Sequence, residues 1–443
     1  MSFQPSYKNI WGISFPIIIA GISETVVDVT DTIFLAHYGI TELAAVGLAA
    51  AIYGVALFLT LGLVDGIQIV IARRVGERQF AAIGEVFNQG LYLLTLAAAA
   101  MILLIIFAVP MITVDLLASE NIHKEVNAYL QISAYALLFQ SFNLAYSAFY
   151  VGISRTRVLI SATAILAATN IVLDYALIFG NLGFAEMGIE GAAIASVSAE
   201  IAAFLFLTAD IIWRGYRRSY NMLRLTRWKN TISKHLIELS TPISLEALVE
   251  TLKWFLFFII IEQLGEQELG MASIIFSCYA LLLIPIDSFS ETACSMTSNL
   301  IGQQRVQNIS LLIRRIIILS YAVVFPMLLL TLIFPEYVIA IFTTDTEMVT
   351  GSIGSLSVIT LAILIAVPGE IYYSTIVGTG DTRAVLTMQI IITIFTLLFA
   401  YIAAFVLALG LEYIWLAEVL GWLVCLLLSW LWFRSGIWKR LNI

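Results

Sequence analysis

Apolar runs long enough to cross a bilayer recur along the chain, each ended by a short polar or glycine-containing break. They fall near 10–36, 43–71, 86–112, 127–152, 158–181 and 188–213, and then near 237–262, 269–298, 315–335, 353–377, 384–410 and 412–433. A hydrocarbon layer ~30 Å thick is spanned by about 20 residues of α-helix. Inside it the backbone must satisfy its own hydrogen bonds, which a helix does within one segment. The runs lack strict apolar–polar alternation, so the pattern predicts twelve transmembrane helices and an all-α polytopic membrane protein.

The pattern is also written twice. A shift of 226 residues lays Pro16 on Pro242, Glu24 on Glu250, Gly39 on Gly265 and Tyr53 on Tyr279. The same shift carries Asp65 to Glu291, Gly152 to Gly378 and Tyr175 to Tyr401. Six helices per repeat leave both halves in the same orientation, so a pseudo-two-fold axis along the membrane normal should relate them. Duplication in a polytopic protein points to a transporter with its site near the repeats' interface. It also supplies a control. A charge present in one half and missing from the other does not come from packing common to both.

Composition sharpens this reading. The chain is 61% hydrophobic and 12% charged over 443 residues, unlike any soluble domain of this length. Cys278, Cys294 and Cys425 lie in apolar stretches and read as small buried side chains, not disulfide partners or metal ligands. Met1 to Ile10 leads straight into an apolar segment without a small-residue cleavage site, so no cleavable signal peptide is expected.

The net charge of −8 hides an ordered distribution. Twenty of the 22 Lys and Arg residues fall on one side of the twelve-helix arrangement; Lys124 falls on the other and Lys253 inside a span. The positive-inside rule therefore places both termini in the cytoplasm. The organisation expected is an N-terminal lobe over 1–213, a basic cytoplasmic linker over 214–234 and a C-terminal lobe over 235–443. Trp213, Tyr216, Tyr220 and Trp228 would suit the headgroup region if the linker lies along anionic lipid. A solvated tether is the alternative.

Carboxylates within the hydrocarbon are costly unless paired, hydrated or protonated, and so are functional candidates. The first span carries Glu24, Asp28 and Asp31 at spacings of four and three, on one helical face. Such a cluster suits exchange of protons for a cationic ligand. The seventh span carries Glu246, Glu250 and Lys253, where Lys253 could simply pair with Glu250. Glu370 stands beside Pro368 and Gly369, where a helix should bend and expose backbone. Asp65 and Glu291 are repeat mates, so a shared structural role fits them best. Glu200 and Glu418 are less informative. The repeat control then singles out one set. Asp28 corresponds to Trp254, Asp31 to Phe257, Asn170 to Thr396 and Asp174 to Ala400. Asn170 and Asp174 share a helical face, and Asp31, Asn170 and Asp174 are expected to form one hydrogen-bonded proton-coupling site.

At these residues the chain resembles the multidrug and toxic compound extrusion (MATE) family, and within it the DNA-damage-inducible protein F branch. The resemblance rests on the Pro16-to-Asp31 spacing, Asp-Thr-Ile-Phe-Leu-Ala-His-Tyr-Gly from Asp31 and Asn-Ile-Val-Leu-Asp at 170–174. Gly-Ile-Glu-Gly-Ala-Ala-Ile-Ala-Ser at 188–196 and Gly-Thr-Gly-Asp-Thr-Arg at 378–383 add to it. It implies the MATE/MOP fold of two six-helix lobes, export of cationic amphipathic compounds, and a monomer in the bacterial inner membrane. It also implies that protonation of Asp31 is linked to bending at Pro16 and to substrate release, with Asn170 and Asp174 as polar partners. Tyr129 and Ser196 would complete the network. Tyr175 stands where relatives often have proline, and Glu24 and Asp28 are acids where many have neutral residues. Glu250 matches an acid of the sodium-linked branch, whereas that branch's other acid aligns near Ala366 instead of Glu370.

The leading expectation is therefore a secondary antiporter, not an enzyme, with H+ as coupling ion, Na+ as the alternative, and no cofactor, metal or nucleic acid. No phosphate-binding glycine loop for an ATP motor is present. Phe139, Phe142, Tyr146, Phe149, Met271, Phe276 and Tyr279 either line a drug cavity or pack helices together. A lipid-linked sugar flippase is the second reading, but it would need intramembrane bases to hold pyrophosphate, and Lys253 is the sole one. An intramembrane enzyme lacks support, since His37, His123 and His235 are scattered.

Overall fold

The computed structural model describes residues 4–116 and 119–436, which are helical nearly throughout. Lys439 and Arg440, two of the basic residues on the cytoplasmic side of the expected arrangement, lie outside the described residues. The first repeat comprises α1 (Tyr7–Tyr38), α2 (Ile40–Gly76), α3 (Phe80–Leu103), α4 (Glu120–Ser133), α5 (Ala136–Gly152), α6 (Arg157–Leu177) and α7 (Gly188–Trp213). The second comprises α8 (Asn230–Glu262), α9 (Glu266–Gly302), α10 (Ile309–Ile333), α11 (Thr346–Thr379), α12 (Thr382–Tyr401) and α13 (Leu416–Ser435). Ten helices among the described residues are long and apolar enough to cross a membrane. The other two expected spans are also helical. The fourth is broken into α4 and α5 by a turn at Ala134 and Tyr135. The seventh, α8, is 33 residues long but carries Glu238, Glu246, Glu250 and Lys253.

Prolines do not interrupt these helices. α1 continues through Pro16 and α11 through Pro368. α3 passes into a π-helical turn at Leu104–Ala108, and α12 into another at Ile402–Val406.

The chain forms two compact units. One contains residues 15–244, the other residues 1–14 and 245–443. The divisions fall inside α1 and inside α8. Each repeat's first helix thus gives its opening segment to the other unit. In the first unit α8 lies so close to α2 that a Cβ on Gly62 would sit 2.6 Å from the Ser244 backbone nitrogen. In the second, Ser14 donates a 2.8 Å hydrogen bond to Thr292 of α9.

The 214–234 linker is not a solvated tether. Three polar side chains of α3 hold its backbone. Asn88 donates to the Asn221 carbonyl (3.2 Å) and accepts from the Leu223 N–H (2.9 Å). Gln89 donates to the Arg227 carbonyl (3.0 Å) and accepts from the Lys229 N–H (3.0 Å) and the Ser233 hydroxyl (3.2 Å). Tyr92 donates to the Thr226 carbonyl (2.9 Å) and accepts from its N–H (3.0 Å). Lys229 pairs with Glu85 at 2.7 Å, and Trp228 stacks on Tyr92. Gly84 is what admits the strand this close, because a Cβ there would lie 2.6 Å from the Asn221 carbonyl carbon. Gln89 is fully buried. Gln89→Ala strands several linker groups at once and should cost roughly 2–3 kcal/mol, read as a lowered melting temperature of the detergent-purified protein. A melting temperature unchanged from wild type would mean that the linker carries no stability.

Candidate functional site

Two acids of the first repeat meet in the unit formed by residues 15–244. The carboxyl groups of Asp31 (α1) and Asp174 (α6) lie against each other. Asp174 is fully buried and Asp31 half-buried. One oxygen of Asp31 and both oxygens of Asp174 are buried with no hydrogen-bond donor among the described residues. Two carboxylates bring only acceptors, so neither can satisfy the other. A proton held between them would supply the missing donor.

Tyr129 (α4) and Ser196 (α7) sit on the same spot. Tyr129 lies near the Ser196 hydroxyl and close enough to feel the charges of Asp31, Asp174 and Asp28. Ser196 donates to the Ala192 carbonyl at 3.0 Å. Tyr129 also packs against a small apolar cluster of Leu35, Ile178 and Ala192. Asn170 lies one turn before Asp174 and is buried, with an unpartnered side-chain oxygen. It makes no hydrogen bond to either aspartate among the described residues, so the contact is between two groups and not three.

Glu24 and Asp28 are exposed side chains on α1. Glu24 faces Glu200, which accepts a 2.7 Å hydrogen bond from Asn143. Nearby, Tyr53 donates to Gln140 at 2.8 Å. A line of polar groups on α1, α2, α5 and α7 thus adjoins the Asp31–Asp174 pair. The sequence treats Glu200 as uninformative; its mid-span position in α7 was the available signal.

The other unit holds a separate group. Lys253 does pair with Glu250, at 3.8 Å, but its nearer partner is Glu418 of α13, at 3.1 Å. Lys253 and Glu418 are both buried, whereas Glu250 is half exposed. The Lys253 ammonium also lies 4.5 Å above the Trp254 ring. Glu246 accepts from Tyr373 at 2.9 Å. Glu370 accepts from Ser290 (2.8 Å) and Ser374 (2.9 Å). Asp65 and Glu291 are half-buried at equivalent places in α2 and α9. Among the described residues no group of three or more His, Cys, Asp or Glu side chains is arranged to hold a metal ion.

The aromatic candidates divide. Tyr146, Phe149 and Tyr279 are buried packing residues. Phe139 and Phe142 pack against Phe204 at 5.6 and 5.7 Å. Phe276 packs edge-on against Trp254 at 4.7 Å, beside Lys253. At the start of α6 and the end of α7, a cavity of about 430 Å³ is lined by Arg157, Ser161, Asp210, Trp213 and Arg214.

A family model described as MatE matches residues 16–176 and again residues 242–402. The two matches are offset by the 226 residues of the internal repeat. A probable multidrug resistance protein NorM from Thermotoga maritima is 23% identical over 435 residues, covering 98% of this chain and 93% of the relative. A multidrug resistance protein NorM from Aliivibrio fischeri is 22% identical over 407 residues, covering 88% and 83%. The solved structure of a MOP superfamily transporter from Pyrococcus furiosus superimposes with a TM-score of 0.91 at 22% identity, over 99% of this chain and 98% of that one. An outward-facing multidrug resistance MATE family transporter of the same superfamily gives the same values.

Proposed function

The chain belongs to the MatE family and is a multi-pass membrane transporter, not an enzyme, and from that premise we propose that it is a secondary antiporter exporting organic cations in exchange for protons. It works by alternating access in the bacterial plasma membrane, as a monomer with both termini in the cytoplasm. Relatives named for multidrug resistance support cationic, amphipathic drugs as the substrate class. The DNA-damage-inducible protein F branch is the assignment that fits the Asp31 and Asn170–Asp174 motifs.

The observation that carries the reading is the donor-less contact between Asp31 and Asp174. Proton uptake joins α1 to α6 by a hydrogen bond; proton release sets two carboxylates against each other. A bound organic cation is the natural replacement charge when the proton leaves. Protonation is thereby coupled to the position of α1, whose Pro16 removes one backbone hydrogen bond and lowers the cost of bending there. Tyr129 and Ser196 orient the pair, and Glu24 and Asp28 extend its negative field along α1. The sodium-coupled alternative through Glu250 and Glu370 has less behind it. Glu370 already accepts two hydroxyl hydrogen bonds, and Glu250 lies beside Lys253. The cavity rimmed by Arg157 and Arg214 suits an anionic lipid headgroup.

The test is efflux of ethidium from proteoliposomes driven by an imposed pH gradient in sodium-free buffer. Transport that tracks the gradient and ignores added sodium is the expected result. Silence until sodium is supplied would transfer the coupling to the other ion.

A further inference from the structure

We propose that Lys253 is a tethered cation that fills the position between Glu418, Glu250 and Trp254, so that no free inorganic cation binds there. The inference goes beyond proton antiport, since it concerns the resting charge of the unit formed by residues 1–14 and 245–443.

The two repeats differ here in a way that common packing does not explain. The 226-residue shift puts Val27 opposite Lys253, Ala192 opposite Glu418 and Asp28 opposite Trp254. Glu24 and Glu250 remain acids in both halves. The first repeat thus has small apolar side chains where the second has a buried ion pair. The second repeat carries a lysine and a glutamate, on two different helices, where the first has apolar residues, at a net charge difference of zero.

The geometry is that of an occupied cation site. The Lys253 nitrogen is 3.1 Å from one Glu418 oxygen, 3.8 Å from Glu250 and 4.5 Å from the centre of the Trp254 ring. Two carboxylates and an aromatic face are the ligands that a monovalent cation seeks in a low-dielectric setting. The same Glu418 oxygen is buried and has no hydrogen-bond donor that meets ordinary geometry. Its compensation is therefore the ammonium charge itself. An ammonium tethered to α8 cannot diffuse away, so it excludes sodium or potassium from the position at any concentration of either. Glu418 gains its role only through this contact with Lys253.

Thermal unfolding of the detergent-purified full chain tests this without any transport assay, so failure here and failure of proton antiport are distinguishable. Wild type, Lys253→Met and Lys253→Met/Glu418→Gln are melted in sodium chloride and in N-methylglucamine chloride of equal ionic strength. Wild type should melt alike in both salts. Lys253→Met leaves a buried carboxylate uncompensated and should melt at least about 5 °C lower in N-methylglucamine. Sodium should return part of that loss by binding where the ammonium stood. The double variant should recover most of the stability and ignore the salt. A wild type stabilised by sodium, or a Lys253→Met variant indifferent to it, overturns the proposal. Should Lys253→Met fail to accumulate, the double variant decides: its folding supports charge compensation, and its failure refutes it.

Discussion

Asp31→Asn and Asp174→Asn should each reduce pH-driven ethidium efflux at least about tenfold, equivalent to roughly 1.4 kcal/mol on the rate-limiting barrier. Asparagine keeps the shape of aspartate and brings its own donors, so either variant satisfies the contact permanently. A pair that is always hydrogen-bonded no longer responds to the gradient. Efflux by Asp31→Asn/Asp174→Asn should be no lower than by either single variant, because two groups acting through one shared proton form one unit. Melting temperatures should stay at or above that of wild type, since three buried oxygens without donors lose their penalty. That combination separates coupling from stability. Additive losses in the double variant, or undiminished efflux in either single one, would sink the shared-proton assignment. Glu24→Gln is the useful comparison. Glu24 is exposed on α1 and is not part of the contact, so its replacement should weaken efflux by less than either aspartate variant.

Much of this site was legible because membrane burial makes polar residues conspicuous. Asp31 and Asp174 stand out as acids in apolar spans, and the repeat removes the acids that common packing explains; Tyr129 and Ser196 came only from the family resemblance. Helix number and duplication were legible for the same reason: length, hydrophobicity and a fixed offset are properties of sequence. Pairing partners across helices were not. Lys253 is three residues from Glu250, and helical spacing makes that the obvious partner. The nearer one is Glu418, 165 positions later on α13. The pinned linker was hidden likewise. Asn88, Gln89 and Tyr92 read as ordinary polar interruptions of a span, and their backbone targets at 221–229 carry no side-chain signature. Asn170 shows the opposite error. Sharing a face with Asp174 is a local property of α6, whereas bonding to it or to Asp31 depends on where the side chain turns.

Repeat-equivalent glycines give the second large effect, and the contrast between them is the prediction. Gly152 and Gly378 occupy matching places near the ends of α5 and α11. Neither has the positive φ that would demand glycine. What differs is the neighbour. A Cβ on Gly378 would be driven into the Cys294 carbonyl of α9, with the Cys294 Cα 3.0 Å away. Backbone of a packed helix cannot step aside. A Cβ on Gly152 would meet the Ile71 Cγ2 methyl at 2.8 Å and its Cβ at 3.3 Å, with backbone no nearer than the Ala72 nitrogen at 3.4 Å, a looser contact that a small shift of the Ile71 side chain can relieve. Alanine gains about 1 kcal/mol over glycine inside a helix. Overpacking a tight contact costs about 1–3 kcal/mol, and sometimes more. Gly152→Ala should therefore lie within about 1 kcal/mol of wild type, whereas Gly378→Ala should lose roughly 2 kcal/mol or more and reduce the yield of monodisperse protein. Melting of the two purified variants side by side is the measurement. Equal damage would mean that both repeats keep the glycine for one shared reason. The expected inequality would mean that α9 and α11 pack on backbone contact while α2 and α5 pack through a side chain, a difference that the alignment of Gly152 with Gly378 conceals.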